Sequence, residues 1–468
     1  MSIPQADPDE MRRRGATSRQ RPAAGFRDGA AAVAMKVRHP GLVALSVTAS
    51  AAFSWVLWRW LPGFIDSINI MLLGYSELLL PVWLHTTLQM FFSLYIWGGL
   101  FPFILFTALS FLPGKDERDA VSLPFVSIII PSFNEEANIA RCIESALAID
   151  YPEYEILVVD DGSRDLTLPI IENYNVSYIR MRSNHGKSAA LNLGLERAKG
   201  DIVFFTDSDS SLHPMVLRYL TAAFSDPSIG AVAGKVLLKK SDSYLQKMQS
   251  IEYLYGQAVI KEAQFRSGYS VSICPGPVTA FRREALLRVG GFRTRTLAED
   301  FDVTLELLEH GYQTAYEPRA IAYTSAMSRW TDLRKQRIRW SRGHLQVYRQ
   351  HRDTLFTGRT GLLSLFWLPY ALFIGYGSAF LEMVFLAVFP SIVILSSMPL
   401  SFLKYGFVYM LVMECITAMQ GMISVFQSGH AKPSLLLATF LTQPYRIFLS
   451  YTRIVSFVYE MQGRKKTW

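Results

Sequence analysis

Charge is absent from Leu78 to Leu112: no Asp, Glu, Lys or Arg interrupts that stretch. A helix needs about 20 apolar residues to cross ~30 Å of hydrocarbon, so this run is long enough to span a bilayer. A second apolar run, Gly41 to Leu61, carries Arg59 alone, near the end where a long side chain can snorkel. Ala49-Ser50-Ala51 would also suit a cleaved leader, but the polar lead-in of 40 residues favours a retained span. After Arg359 the chain turns apolar again through Tyr459, broken only by Glu382, Lys404, Glu414, Lys432, Arg446 and Arg453. Spans are expected near 381–399 and 405–426, while 361–380 and 434–458 read either as crossings or as amphipathic interfacial helices. With 50% hydrophobic and 18% charged residues, the composition excludes a disordered or collagen-like chain.

The flanking charges orient these spans. Residues 1–40 hold eight Lys and Arg against four acids and read as a disordered basic tail. The connector between the first two runs carries Asp66 and Glu77, whereas Lys115 and Arg118 follow the second. The positive-inside rule therefore predicts a cytoplasmic tail and a cytoplasmic central segment, with the closing Arg464-Lys465-Lys466 also inside. Cys142, Cys274 and Cys415 are too few and too far apart for a disulfide framework or a metal knuckle, and the eight histidines show no metal-ligand spacing.

Between 115 and 355 charge returns and apolar runs shorten. Strands are expected at Phe125–Ile130, Glu155–Val159, Val176–Ile179, Asp201–Thr206 and Ile229–Ala233, with helix-length stretches such as Glu135–Ala148 and Ser188–Ala198 between them. Such alternation predicts an α/β domain with a mostly parallel sheet covered on both faces.

Four clusters carry candidate chemistry. Val158-Val159-Asp160-Asp161-Gly162 runs a buried strand into two carboxylates and a glycine turn, and Phe204-Phe205-Thr206-Asp207-Ser208-Asp209 places alternate acids after another strand. Strand ends are where ligands gather in open α/β sheets, and paired carboxylates suit a hard cation holding a diphosphate. A plain turn and a helix cap are the structural alternatives. Ala298-Glu299-Asp300-Phe301-Asp302 opens a helix, where acids also complement the dipole. Gln336-Arg337-Ile338-Arg339-Trp340 lies in a basic segment that suits either a membrane surface or a diphosphate clamp beside a flat ring for stacking a sugar.

Taken in order, these clusters resemble the processive family-2 glycosyltransferases, the membrane synthases of cellulose, chitin, hyaluronan and poly-N-acetylglucosamine. The matching elements are Pro131-Ser132-Phe133-Asn134-Glu135-Glu136, Asp160-Asp161-Gly162, Asn184-His185-Gly186-Lys187, Asp207-Ser208-Asp209, Glu299-Asp300 and Gln336-Arg337-Ile338-Arg339-Trp340. The poly-β-1,6-N-acetylglucosamine synthase branch is nearest, through Pro277–Arg283, Glu317–Ala320 and Lys335–Gly343. The resemblance implies a GT-A nucleotide-sugar domain inserted between N-terminal and C-terminal transmembrane helices. It divides the chain into a tail (1–40), two transmembrane helices (41–112), a cytoplasmic GT-A domain (115–330), interfacial helices (331–360), C-terminal transmembrane and interfacial helices (361–460) and a cytoplasmic tail (461–468). It also implies roles. Asn134, Glu136, Asp160, Asp161 and Lys187 would contact the nucleotide sugar. Asp207 and Asp209 would hold Mg2+ or Mn2+ with the diphosphate. Asp300 would be the general base with Glu299 beside it, and Gln336, Arg339 and Trp340 would hold the diphosphate and receive the acceptor. Two departures stand out: relatives read Thr where this chain has Ala298, and Cys274-Pro275-Gly276-Pro277 lacks the small polar residue common beside the glycine.

The implied activity is a processive, inverting transfer from a UDP-sugar to a growing β-linked polysaccharide. It would take place at the inner membrane of the cell, in a multi-pass protein whose catalytic domain is cytoplasmic. The partners would be the donor, the polymer, the bilayer and a small accessory membrane protein, without nucleic acid. Two alternatives remain at this level: a non-processive transferase acting on a lipid carrier, and a catalytically silent membrane scaffold that senses nucleotide sugar.

Overall fold

The structure is a computed structural model that describes residues 100–113, 123–395, 399–429 and 432–464, with short helical pieces between 41 and 63. The basic tail, most of the connector with Asp66 and Glu77, and Lys115 and Arg118 lie outside the described residues.

The central sheet forms where β-branched and aromatic residues alternate between two buried faces. Strand β1 (Val126–Ser132) is buried at every position. Its Ile128 and Ile130 join Ile156 and Val158 of β2 (Tyr154–Asp160) against helix α1 (Ile139–Leu147), whereas Ile129 joins Leu157, Val159 and Val203 on the opposite face. That period of two, apolar on both sides, is the mark of a strand covered by helices front and back. Helix α2 (Thr167–Glu172), β3 (Ser177–Arg180), α3 (Lys187–Arg197) and β4 (Ile202–Phe205) complete this half, with α3 covering the second face. Pairing of β3, β2, β1 and β4 is parallel throughout.

The other half departs from the expected mostly parallel sheet. After β5 (Ser211–Leu212), α4 (Val216–Ala222) and β6 (Ile229–Leu238), the chain makes a helical run of α5 (Tyr244–Leu254), a π-helical segment (Tyr255–Lys261) and α6 (Glu262–Gly268). It then returns as β7 (Thr279–Arg282), antiparallel between β4 and β6. The full order is β3-β2-β1-β4-β7-β6-β8-β5, where β8 (Gln313–Thr324) runs parallel to β6 and antiparallel to β5. Phe205 pairs with Thr279, so the acids that follow β4 lie beside the Cys274–Pro277 segment that precedes β7. The reversal at β4/β7 places the site.

Helices α7 (Arg283–Arg288) and α8 (Glu299–Glu309) follow β7, and α9 (Trp330–Gln350) follows β8. The remaining helices are α10 (Leu368–Leu395), α11 (Pro399–Gln427), α12 (Pro433–Ala438) and α13 (Gln443–Met461). A π-helical stretch, Leu363–Trp367, leads into α10. Among the described residues, two helical stretches, Leu363–Ala387 and Met410–Gln427, are long and apolar enough to cross a membrane. The helical run that begins at Leu363 continues to Leu395, so much of 361–380 and most of the expected span at 381–399 fall on one helix. The stretch 434–458 divides at Thr439–Leu441 into α12 and α13. Helix α13 buries Tyr445, Ser450, Thr452 and Ser456 and packs along α9 and α10. Upstream, Leu100–Ser110 is a shorter apolar helix within the expected second span. The segment 331–360, expected to be interfacial helices, holds the long helix α9 followed by a 3-10 turn at Arg352–Thr354.

Candidate active site

Asp160 closes β2 fully buried. Its Oδ1 accepts from Ser163 N at 3.2 Å, while Oδ2 has no hydrogen-bond partner. A buried carboxylate oxygen left unpaired is costly and points to a missing donor or cation. Asp161 is committed locally: its two oxygens accept from His185 N at 2.7 Å and Gly186 N at 2.8 Å, immediately before α3. An anion at a helix start is favoured by the dipole, so Asp161 anchors the loop that delivers Lys187. Gly162 makes this possible, because its φ is +74° and a Cβ there would lie 2.8 Å from the Ser183 backbone.

Asn134 and Glu136 serve the same loops. Asn134, at φ 54°, accepts from Arg164 N at 2.9 Å, and Glu136 accepts from Leu166 N at 2.9 Å. Their side chains brace the turn after β2. Between them Glu135 is the residue under the influence of Asp209 and Asp207: burial foremost, then those two charges, push its carboxyl above the usual range even though Asn138 opposes the shift.

The pocket proper gathers three distant motifs. Lys187 Nζ lies 2.6 Å from Asp207 Oδ1 and 3.1 Å from Glu299 Oε1. Burial works against that ammonium, yet Asp207, Glu299 and Asp300 more than offset it and hold it above the usual lysine range. Gly276 faces the pair so closely that a Cβ would lie 2.8 Å from Lys187 Nζ and 3.2 Å from the Asp207 oxygens. Asp300 lines the same pocket with Lys187, Asp207 and Cys274. Burial and the neighbouring Glu299 raise its pKa to about 6, against the opposing pull of Lys187 and the Phe301 N–H. Asp209 is raised as well, by burial and then by Asp207, despite Ser210, Lys187 and Lys239.

Helix α9 seats the last cluster. Its Gly343 lies against Ala298, where a Cβ would approach within 2.8 Å, and Gln346 Oε1 accepts from Leu297 N at 2.9 Å. The helix is thus docked on the residues that precede Glu299-Asp300. Trp340 sits 6.4 Å from the Tyr253 ring, and Tyr253 feels Arg337, Glu252, Asp209 and Asp207. Arg339 has no ion pair among the described residues, which leaves its guanidinium available. Gln336 instead accepts from the adjacent Arg337, and Arg337 pairs with Glu252 at 2.6 Å beneath the Trp340 ring. The expectation singled out Arg339; the structural ion pair belongs to Arg337, a distinction set by helix phase.

A second ionic cluster escaped the sequence reading. Asp302, Glu306 and His351 bring ligand atoms within 4.8 Å of one another, the arrangement of a metal site. Yet Arg295 already lies between the acids, 2.7 Å from Asp302 and 2.5 Å from Glu306, and His351 bonds Asp302 at 2.7 Å and Glu309 at 2.8 Å. A guanidinium fills the place a cation would take. Burial lowers and the two carboxylates raise the His351 pKa, with a net rise to about 9.

The cation-poor acids are those of the pocket. Among the described residues, the five acids Glu135, Asp207, Asp209, Glu299 and Asp300 outnumber the lysines that influence them, Lys187, Lys239 and Lys261, and hard oxygen donors in excess suit Mg2+ or Mn2+. Asp207 and Asp209 would hold it, and such an ion, when bound, supplies positive charge to a departing diphosphate.

With this geometry in place, comparison with known proteins is direct. The Glycosyl transferase family 2 pattern matches residues 127–290. A poly-beta-1,6-N-acetyl-D-glucosamine synthase of Staphylococcus epidermidis is 32% identical over 246 residues, covering 52% of this chain and 59% of that protein. Its counterpart in Staphylococcus epidermidis strain RP62A is 30% identical over 287 residues, covering 60% and 68%. The Staphylococcus aureus strain COL protein of that name is 32% identical over 257 residues, covering 54% and 62%. The chain thus spans about three fifths of the length of the first of these relatives. Among solved structures, a mannosyltransferase from Pyrobaculum calidifontis, in complex with GDP-Man and Mn2+, superposes with a TM-score of 0.59 at 20% identity, covering 80% of this chain and 98% of that one. The expected GT-A-like α/β fold is the one observed. By its match to these relatives, the chain belongs to glycosyltransferase family 2.

Proposed function

We propose that the chain is a processive, inverting glycosyltransferase that elongates a β-linked, N-acetylglucosamine-containing polysaccharide from a UDP-sugar. The observation that carries this reading is the meeting of Lys187, Asp207, Glu299 and Asp300, from three separate motifs, around one pocket beside Gly276. The substrate class follows the names of the staphylococcal relatives.

In this reading the acceptor hydroxyl oxygen attacks the anomeric carbon as its proton passes to Asp300. A carboxylate with a pKa near 6 is ionised at neutral pH yet basic enough to help. The bond between that carbon and the diphosphate oxygen breaks, and the electron pair leaves with the nucleoside diphosphate. Arg339 balances the added charge, Asp160 and Lys187 face the nucleotide side, and Trp340 stacks the acceptor ring. One displacement inverts the anomeric centre, so an α-linked donor yields a β-linked product. Asn134, Glu136 and Asp161 contribute by holding the loops that form the nucleotide side.

The same reading places residues 41–112 and 361–460 in the cytoplasmic membrane, flanking a catalytic domain at 115–330, with α9 at the interface. The helices long enough to cross, and the packing of α13 on α9, support it. The test is incubation of the purified chain with a panel of labelled UDP-sugars and GDP-mannose, with Mg2+ or Mn2+, followed by sizing and linkage analysis. A long β-linked product from UDP-N-acetylglucosamine is expected; a single transferred sugar, or no metal-dependent UDP release, overturns the reading.

A further inference from the structure

Arg337 of α9 is 4% exposed. Its guanidinium is engaged on several sides: Nη1 donates to Gln336 Oε1, Nη2 lies 2.6 Å from Glu252 Oε2 near the end of α5, and Cζ stands 4.4 Å from the centroid of the Trp340 ring. Tyr445 of α13 closes the set. Its hydroxyl donates to the same Glu252 oxygen at 2.5 Å and accepts from Arg337 Nη2 at 3.4 Å. Arg337 Nε is buried without a hydrogen-bond partner. A buried donor left unpaired is costly, and an apolar side chain of similar reach would fill the space without that cost.

Docking of α9 has other supports. Arg342 pairs with Glu460 of α13 at 2.5 Å and donates to the Arg464 carbonyl at 2.6 Å, and Gln346 reaches the same Glu460 at 2.9 Å. The Tyr376 hydroxyl donates to the Ser341 carbonyl at 2.8 Å. Arg337 adds something different: it ties Gln336 and Trp340, two side chains of its own helix, to α5 and α13. Tyr253, next to Glu252, flanks the Trp340 ring at 6.4 Å, so the end of α5 supplies both the anchor and a neighbour for that ring. A cation over an indole is attracted by the ring face, and the flat, forked guanidinium can hold a carboxylate and an amide at the same time. The face it covers is closed to a sugar, so the place of Arg337 decides how the ring can be used.

We infer that Arg337, anchored by Glu252 and Tyr445, is a positioning residue for the acceptor: it sets the Trp340 ring and the Gln336 carboxamide so that the terminal sugar of the growing chain is received in one orientation. This rests on the acceptor role of Trp340 given under Proposed function.

The test uses the full-length protein in lipid nanodiscs, with Arg337→Met and Tyr445→Phe. Three properties are read: kcat and KM for a short β-1,6-linked N-acetylglucosamine oligosaccharide, UDP affinity with Mn2+, and the fluorine NMR signal of Trp340 in protein labelled with fluorotryptophan. That signal, assigned through Trp340→Phe, reports the surroundings of the ring without turnover. Arg337→Met should raise the oligosaccharide KM roughly tenfold with UDP affinity unchanged, and should shift the Trp340 signal. Tyr445→Phe, which keeps the ring and removes one bond to Glu252, should move both in the same direction by less. A folded Arg337→Met protein whose KM or Trp340 signal matches the wild type overturns the inference, as does a fall in UDP affinity equal to the loss for the oligosaccharide. Should Arg337→Met fail to fold, Tyr445→Phe decides by the same criteria. Absence of turnover by the wild type with every donor would instead remove the proposed function, and the Trp340 signal would then decide whether Arg337 sets that ring.

Discussion

Helix α8 presents two acidic faces that look alike in sequence and differ in chemistry. Asp302, Glu306 and Glu309 turn toward Arg295 and His351, and every charge there has a partner. Against the cost of burial, those partners hold Asp302 and Glu309 below the usual carboxylate range. Glu299 and Asp300, one turn earlier, look into the pocket, where Lys187 is shared with Asp207 and Asp300 is left at about 6. A fully paired cluster fastens α8 to the end of α9; an underpaired one keeps a carboxylate reactive. Pairing, more than the presence of acids, separates scaffold from site.

Substitutions on each face sharpen that contrast. The largest effect is expected for Asp300→Asn, which should lower the elongation rate by about 10²–10⁴-fold while UDP binding, read by calorimetry, stays as in the wild type. Retained elongation would erase the distinction between the faces. His351→Gln acts on the paired face. It should lower stability by on the order of 3 kcal/mol in a thermal melt, because it leaves Asp302 and Glu309 short of a partner, with elongation per folded molecule preserved. The pH dependence follows with a definite sign. A histidine raised from 6.5 to about 9 contributes stability that is complete below about 6.5 and lost as pH rises through 9. Melting temperature should therefore fall across that window, by a loss of up to about 3 kcal/mol, and His351→Gln should flatten the fall. Smallest is Gly343→Ala, where the added methyl meets Ala298 at 2.8 Å. It should cost about 1–3 kcal/mol and reduce elongation by displacing α9 from the Glu299-Asp300 segment. Unchanged activity and melting would show that the contact relaxes freely.

The parallel half of the sheet was legible because its strands alternate apolar residues between two buried faces, and the acids at 160–161 and 207–209 follow directly from where those strands stop. Strands β7 and β8 were not. The four residues of β7 carry too short a pattern, and β8 is interrupted near Glu317-Pro318-Arg319, where its pairing with β6 shifts register between Ala233 and Lys235. Arg337 and Arg339 lie two apart on one helix, and no pattern of residue types says which of them meets Glu252.

The order of the motifs, the apolar stretches around a charged centre and the family itself were properties of the sequence, since alternation and spacing act locally along the chain. The antiparallel entry of β7 beside β4, the meeting of Lys187 with both Asp207 and Glu299, and the pairing of Arg337 with Glu252 were decided by tertiary structure. Charges interact through space, and only the folded path determines which carboxylates find a cation and which remain free to take a proton.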